Sequence, residues 1–287
     1  MLHRARYVSV KNDPEIDWKY FVTRFLKILL GTLEKFTPIG VYIYFDRGRS
    51  IHRRKILESY KGNRQKDEND PTEIAYGEAR EFLHKTLPEL GIISILEDGI
   101  EADDFAYLIG YRYSPDIPGV HISDDKDWYL NIFPNWHLFR TQANELISWE
   151  DFCTIVGDDK NPRIMYLLIR AMVGDKSDNI PGLRGFGWET AKKFASKILY
   201  KKDLGASSKA KMIEENMSLI RRNISVMNTS WVIHNNEIIN IVKTAEQNKK
   251  KVNQPLVSWT SLTKELGGDP ELMATWTKYN KLVRNLE

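Results

Sequence analysis

A single cysteine, Cys153, stands in a chain of 287 residues, which excludes a disulfide framework and a cysteine-based metal cluster and suits a reducing compartment. No apolar run approaches the ~18 residues that a helix needs to cross a bilayer, and Met1-Leu-His-Arg-Ala-Arg leads into no secretory segment. A cytoplasmic setting without membrane association is therefore expected. Internal repeats and low-complexity tracts are absent. Strong net charge is lacking too: 42 Lys and Arg face 39 Asp and Glu, a formal balance of +3. That small total conceals a separation, with acids crowding residues 97 to 127 and bases crowding 47 to 66, 184 to 222 and 249 to 251. Separated signs suit a protein that holds cations in one place and phosphates in another, although solvated helix faces account for roughly half of the lysines by themselves. What is present in quantity is apolar side chain, 42% of the chain, enough for one large domain or two modest ones with a real core.

The first half reads as alternating helix and strand. Residues 15 to 36 carry Trp18, Phe21, Val22, Phe25, Leu26, Leu29, Leu30 and Leu33 on one helical stripe, ended by Pro38 and Gly40. Val41-Tyr-Ile-Tyr-Phe45 follows as a short buried strand, then Asp46, placed where ligands bind at the carboxyl ends of strands in open α/β sheets; a plain cap is the bland alternative. The stretch from Arg47 to Arg64 is basic and helical after Ile51, with Arg49, His52, Arg53, Arg54, Lys55, Tyr60, Lys61 and Arg64. An aromatic among cations can stack a base while Lys and Arg meet phosphates. Residues 65 to 71 form a polar connection, either a surface loop or an arch, followed by a helix from 72 to 87 and a strand from 92 to 96. Val120-His-Ile-Ser123 is a third strand. Beyond about residue 150 the pattern turns helical, over 148 to 153, 162 to 173, 189 to 200, 207 to 227, 236 to 250 and 270 to 284. Trp128 and Phe45 read as core, as do Trp231, Trp259 and Trp276.

Acid groups punctuate these elements. Glu101, Asp103 and Asp104 occupy the first turn of a helix, where the macrodipole favours negative charge. Capping explains one of them, but three packed anions raise one another's pKa unless a cation neutralises them. Asp125 and Asp127 lie just past a strand and point the same way if the chain stays extended. Asp175 and Asp178 share a face if the backbone there is helical. Gly182, Gly185 and Gly187 then mark a tight turn into a helix, leaving backbone N–H groups free as a phosphate cradle. Acid pair and glycine hairpin together suggest one device that holds divalent metal beside a nucleic-acid backbone.

In family order, Phe45-Asp46, Tyr60-Lys-Gly-Asn-Arg64, Glu101-Ala-Asp-Asp104, Ser123-Asp-Asp-Lys-Asp127-Trp128 and Gly174-Asp-Lys-Ser-Asp178-Asn with its glycine hairpin resemble the 5′-nuclease superfamily. That family comprises flap endonucleases, 5′-3′ exonucleases and the 5′-nuclease domain of bacterial DNA polymerase I, and the likeness is greatest to its phage branch. It covers roughly residues 41 to 200. It implies a mostly parallel α/β sheet with helices on both faces over 1–150, an arch at about 50–80, and a helical part over 151–287 with a helix-three-turn-helix at about 165–200. It implies that Asp46, Glu101, Asp103, Asp104, Asp125, Asp127, Asp175 and Asp178 are metal carboxylates for two ions. Lys61 and Arg64 would reach the scissile phosphate. Arg53, Arg54, Tyr60, Gly182, Arg184, Gly185, Gly187, Lys192 and Lys193 would contact DNA, while Asp124 is a bystander or supports the ligands.

The implied function is cleavage of branched or 5′-ended DNA during replication, by a monomer with replication proteins as further candidate partners, in the host cytoplasm if the chain is phage-encoded. Oxygen-only ligands favour Mg²⁺ or Mn²⁺. One departure stands out: family members open with a strand ending in an Asp that serves the first metal site, whereas this chain opens on what is similar to the following helix, and Asp13 and Asp17 follow no strand-like run. The expectation is a start placed too late in reading the gene, the other explanation being a protein that lacks that ligand. A DNA-structure-binding protein without catalysis is the competing class, and an RNase of the PIN-like group, which usually lacks such a glycine hairpin, is a third.

Overall fold

The computed structural model describes residues 17–64, 69–249, 262 and 264–267. The helix expected at 270 to 284, Trp259, Trp276 and the N-terminal segment fall outside them. Two compact units emerge. One takes Asp17 to Phe45, Asn69 to Leu96 and the described residues from Glu237 on; the other takes Asp46 to Arg64 and Glu97 to Asn236.

In the first unit, helix α1 (Trp18–Phe36) starts where the Asp17 carboxylate accepts the Lys19 N–H and buries Phe21, Val22, Phe25, Leu26, Leu29, Leu30 and Leu33. Each such side chain contributes roughly 1.5–3 kcal/mol by leaving water. The helix stops at Thr37, whose φ of 42° is left-handed and whose N–H closes on the Leu33 carbonyl. Strand β1 (Tyr42–Arg47) begins in this unit and ends in the other, which also holds helix α2 (Ile51–Ile56); helix α3 (Pro71–Thr86) belongs to the first unit, and strand β2 (Ile93–Asp98) again passes from the first into the second. β1 and β2 pair, and the Ile93 and Gly99 N–H groups donate to the Val41 and Arg47 carbonyls. Equal offsets along both strands mean that the pair is parallel. Apolar faces of α1 and α3 pack together with Phe45, Ile92 and Leu96.

The second unit carries helix α4 (Ala102–Tyr113), strand β3 (Gly119–Ile122), a short 3-10 helix (Lys126–Asn131), and strands β4 (Trp136–Arg140) and β5 (Glu145–Ile147). β3 runs parallel to β4 and β4 antiparallel to β5. The expected mostly parallel sheet is thus two small sheets among the described residues, one of them mixed. Five helices follow: α5 (Trp149–Val156), α6 (Pro162–Val173), α7 (Trp188–Leu199), α8 (Ser208–Glu215) and α9 (Met217–Met227); a 3-10 turn at Ser230–His234 closes this unit, and α10 (Asn236–Asn248) belongs to the first unit from Glu237 on. The single helix expected over 207 to 227 breaks at Asn216, whose side-chain amide donates to the Met212 carbonyl and competes with continued winding. Pro162 opens α6 and Gly174, at φ 75°, closes it. No described helix is long and apolar enough to cross a membrane.

Candidate active site

The Glu101-Ala-Asp-Asp104 run begins α4, and its acids turn inward because a cation waits for them. Arg53, on α2, is 2% exposed and uses all five N–H groups. Nη1 donates to Glu101 Oε2 and Asp104 Oδ2, both at 3.0 Å, Nη2 to Asp103 Oδ2 at 2.8 Å and Asp104 Oδ1 at 3.0 Å, and Nε to the Val226 carbonyl at 3.2 Å. Arg53 was expected on DNA; it is instead the buried counter-ion of this cluster. Burial lifts the Asp103 and Asp104 carboxyls above their usual range against the pull of Arg53, whereas Glu101, also buried, is held low by Arg53 and Lys61. Asp46, in β1, accepts the Ala102 N–H at 2.8 Å, at the head of the same helix.

A second group gathers on the turn after α2. Lys61 Nζ donates to Glu101 Oε2 at 2.8 Å and lies 3.9 Å from Asp178 Oδ2. The Tyr60 hydroxyl sits between the same two acids, 2.9 Å from Glu101 Oε2 and 3.1 Å from Asp178 Oδ2. At 2% exposure Tyr60 has no face for a base, which corrects its expected stacking role; burial pushes its hydroxyl pKa upward. Arg64 Nη2 donates to Asp178 Oδ1 at 2.5 Å with half of its side chain exposed. The Lys61 N–H also donates to the Asp178 carbonyl, so backbone and side chains both tie this turn to Asp178.

Arg170, on α6, makes the third centre, with Nη2 2.6 Å from both Asp127 Oδ1 and Asp175 Oδ2. Asp127 is pushed up to about 6 by burial, partly offset by Arg170, whereas hydrogen bonds from Ser177 and the charge of Arg170 hold Asp175 low despite burial. Two geometric expectations fail here. The backbone at Asp175 to Asp178 is a turn closed by the Asp175–Ile180 bridge rather than a helix, because Asp175 Oδ1 accepts the Ser177 and Asp178 N–H groups. Asp175 therefore faces Arg170 and Asp178 faces Arg64. Asp125 and Asp127 also diverge: Asp125 is exposed and caps the 3-10 helix by accepting the Asp127 N–H, leaving only Asp127 to turn toward Arg170. Asp124 accepts from Thr141 Oγ1 and the Gln142 N–H, holding the β4–β5 turn.

These centres meet at one small cavity, on whose wall Asp103, Asp127 and Asp178 stand with Arg53, Tyr60 and Arg170. Among the described residues no three acid, His or Cys side chains close on one point as a ready-made ligand set, because the guanidinium groups of Arg53 and Arg170 lie between the acids. The donor set nevertheless fits hard cations. Every candidate ligand is a carboxylate oxygen, Asp103 Oδ1 is buried with no hydrogen-bond partner, and the acids at 46, 101, 103, 104, 127, 175 and 178 outnumber Arg53, Lys61, Arg64 and Arg170.

The glycine turn divides its labour. A Cβ on Gly182 would lie 2.0 Å from the Val173 carbonyl oxygen, so only glycine permits that backbone approach; Gly185 has φ +75°, and Gly187 is the N-cap of α7, where no side chain caps. Arg54, Arg184 and Lys193 are exposed, while Lys192 donates to the Ile155 carbonyl. Arg170 went unrecognised in the sequence although a lone cation within the apolar run Ile164 to Val173 signals it. Trp231, expected as plain core, donates from Nε1 to Asp104 Oδ1 at 3.2 Å, and nothing in the sequence marks it.

A buried acid centre beside an α/β sheet, with a basic turn and a glycine turn on the same unit, defines the class, and the comparisons agree. Residues 1–157 match the model of the 5′-3′ exonuclease, N-terminal resolvase-like domain family. The chain belongs to that family. It is 31% identical over 169 residues to a 5′-3′ exonuclease of Aquifex aeolicus and 28% identical over 176 residues to one of Bacillus subtilis, covering 58% and 60% of this chain but only 55% and 57% of those relatives. A structure of T5 5′-exonuclease with zinc ions superposes with a TM-score of 0.69 at 19% identity, over 87% of this chain and 96% of that one. The bacteriophage T5 D15 flap endonuclease complexed with DNA and metal ions gives 0.65 at 18%, over 80% and 92%. At these identities the structures speak for the fold.

Proposed function

We propose that the chain is a divalent-metal-dependent 5′-nuclease that hydrolyses phosphodiesters in branched, 5′-flap or 5′-ended DNA, serving replication. The observation that carries this reading is the approach of acids from β1, α4, the 3-10 helix after β3 and the Asp175–Asp178 turn to one region that also holds Lys61 and Arg64. The T5 relatives, described as metal-bound and as a complex with DNA, support it. Asp103, Asp127 and Asp178 on the cavity, with Glu101, Asp175 and Asp46 beside them, would hold Mg²⁺ or Mn²⁺. Such ions supply charge stabilisation to a phosphoryl group and acidify bound water.

The remaining work falls to the chain itself. Arg64, half exposed, presents a planar two-pronged donor to a phosphate oxygen, and Lys61 adds a point charge behind it; both act electrostatically rather than by proton transfer. In this reading residues 1–150 form the nuclease core and 151–287 the helical part. The turn between α6 and α7, with Arg184 exposed on it and Lys193 exposed on α7, would grip duplex DNA through backbone N–H groups, making recognition depend on structure rather than sequence. A second reading, DNA binding without cleavage, is favoured by Arg53 and Arg170 standing among the acids. A 5′-flap oligonucleotide incubated with Mg²⁺ and with EDTA separates the two. Cleavage in Mg²⁺ and none in EDTA is expected; binding with no cleavage in either Mg²⁺ or Mn²⁺ overturns the proposal.

A further inference from the structure

The paired acids Asp103 and Asp104 are not equivalent. Asp104 is fully buried and its four acceptor positions are all engaged. Oδ1 accepts from Arg53 Nη2 at 3.0 Å and Trp231 Nε1 at 3.2 Å, and Oδ2 from Arg53 Nη1 at 3.0 Å and the Glu101 N–H at 3.3 Å. A carboxylate has about four lone-pair sites, so Asp104 has none to offer without breaking a buried hydrogen bond. Asp103 is the reverse: Oδ2 accepts from Arg53 Nη2 at 2.8 Å, Oδ1 is buried without a partner, and the residue stands on the cavity wall. Asn131 Nδ2 donates to the Asp103 carbonyl at 3.2 Å and steadies its backbone.

Two of the groups that lock Asp104 come from the far end of the unit, beyond the residues that match the family model. The Val226 carbonyl, at the end of α9, takes Arg53 Nε, and Trp231, on the next turn, takes Asp104 directly. The Trp231 ring is itself held by stacking on His52, with ring centres 4.0 Å apart and planes within 9°. His52 precedes Arg53 on α2, so the stack and the guanidinium fix the same carboxylate from adjacent residues.

We propose that Asp104 is a structural anion, locked by Arg53 and by Trp231 from the C-terminal helices, and that Asp103 alone of the pair supplies an oxygen to a divalent cation. The inference rests on the nuclease reading and divides the labour within its acid centre, departing from the expectation that both aspartates are ligands.

The experiment is a calorimetric Mn²⁺ titration of the full chain and three variants, each paired with a thermal melt. Asp103→Asn is expected to weaken Mn²⁺ binding at least tenfold with an unchanged or higher Tm, since the amide oxygen can still accept from Arg53 Nη2 while the buried Oδ1 that has no partner is replaced by an uncharged group. Asp104→Asn is expected to lower Tm by several degrees; should it fail to fold, that collapse agrees with the lock, and Trp231→Phe carries the metal test. Trp231→Phe keeps a ring on His52 and deletes only the Nε1–H, so Tm falls while Mn²⁺ affinity stays within threefold of wild type. A tenfold loss of Mn²⁺ affinity in Asp104→Asn or Trp231→Phe at unchanged Tm overturns the proposal, as does an Asp103→Asn variant that binds like wild type. Wild type that binds no Mn²⁺ at all would instead sink the nuclease reading, and the division of roles with it.

Discussion

Removing Arg53 tests how the acid centre is held together. In Arg53→Met the three acids on α4 keep their burial and lose their common cation, along with five hydrogen bonds. Breaking a buried ion pair from one side costs about 3–5 kcal/mol. Protonation sets a ceiling. An aspartate with an ordinary pKa near 3.9 costs about 5.6 kcal/mol to protonate at pH 8 and about 1.5 kcal/mol at pH 5, at 1.36 kcal/mol per unit. Without Arg53 the folded-state pKa of Asp103 and Asp104, already lifted by burial, rises further, and Glu101 loses one of the two cations that hold it low, so the variant's fold binds more protons relative to the unfolded chain than wild type does and its deficit grows as pH rises. Urea unfolding of wild type and variant at pH 5 and pH 8 reads this directly. A deficit of about 3–5 kcal/mol at pH 8, shrinking to about 1–2 kcal/mol at pH 5, is expected. Arg53→Lys, which keeps the charge and loses the fork, falls between. A deficit below about 1 kcal/mol at pH 8, or one independent of pH, would refute the assignment of Arg53 as the central cation.

Other consequences can be checked separately. Asp158 is buried, yet its pKa is lowered because Tyr200 and the Asn161 and Lys160 N–H groups donate to it. Its contribution is present above the unfolded carboxylate pKa and lost as pH falls through the folded one, so Asp158→Asn costs about 1–2 kcal/mol at pH 7 and flattens the acid limb of a pH–Tm profile. Gly182→Ala brings a Cβ against the Val173 carbonyl and the Gly174 N–H, both backbone atoms, and is expected to cost at least ~2 kcal/mol. Gly187→Ala, with nothing within 4 Å, should cost no more than ~1 kcal/mol, and chemical denaturation of the two compares them. Lys61→Ala is expected to slow flap cleavage roughly 10²–10³-fold in single-turnover kinetics while duplex binding, measured against salt, keeps its steep fall.

Much of this was legible in the residues because it depends on local patterns. The stripe from Phe21 to Leu33 has only one way to bury itself, and Pro162 and Gly174 bracket a helix that occurs where they place it. Strands β4 and β5 escaped notice because His137, Arg140 and Glu145 interrupt their short apolar pattern. At the site, the identity of the acids was readable and their directions were not. Whether Asp175 and Asp178 point together depends on an Asx turn that captures Asp175, and whether Asp125 joins Asp127 depends on a capping bond. Arg53 and Tyr60 carried the composition of a DNA-contacting surface, yet long-range acids draw both inward. Trp231 reaches Asp104 across 127 positions in the chain, a pairing that no local rule contains.

The account's central claim is that acids contributed by separate elements form one cation-dependent cleavage centre, distinct from the groups that bind DNA. Asp175→Asn tests it most directly, with one 5′-flap substrate followed by gel shift in Ca²⁺ and by cleavage in Mg²⁺. Binding within a few-fold of wild type, with cleavage reduced at least ~100-fold, is the predicted result. A variant that cleaves as fast as wild type, or that loses binding and cleavage in equal measure while remaining folded, would contradict it.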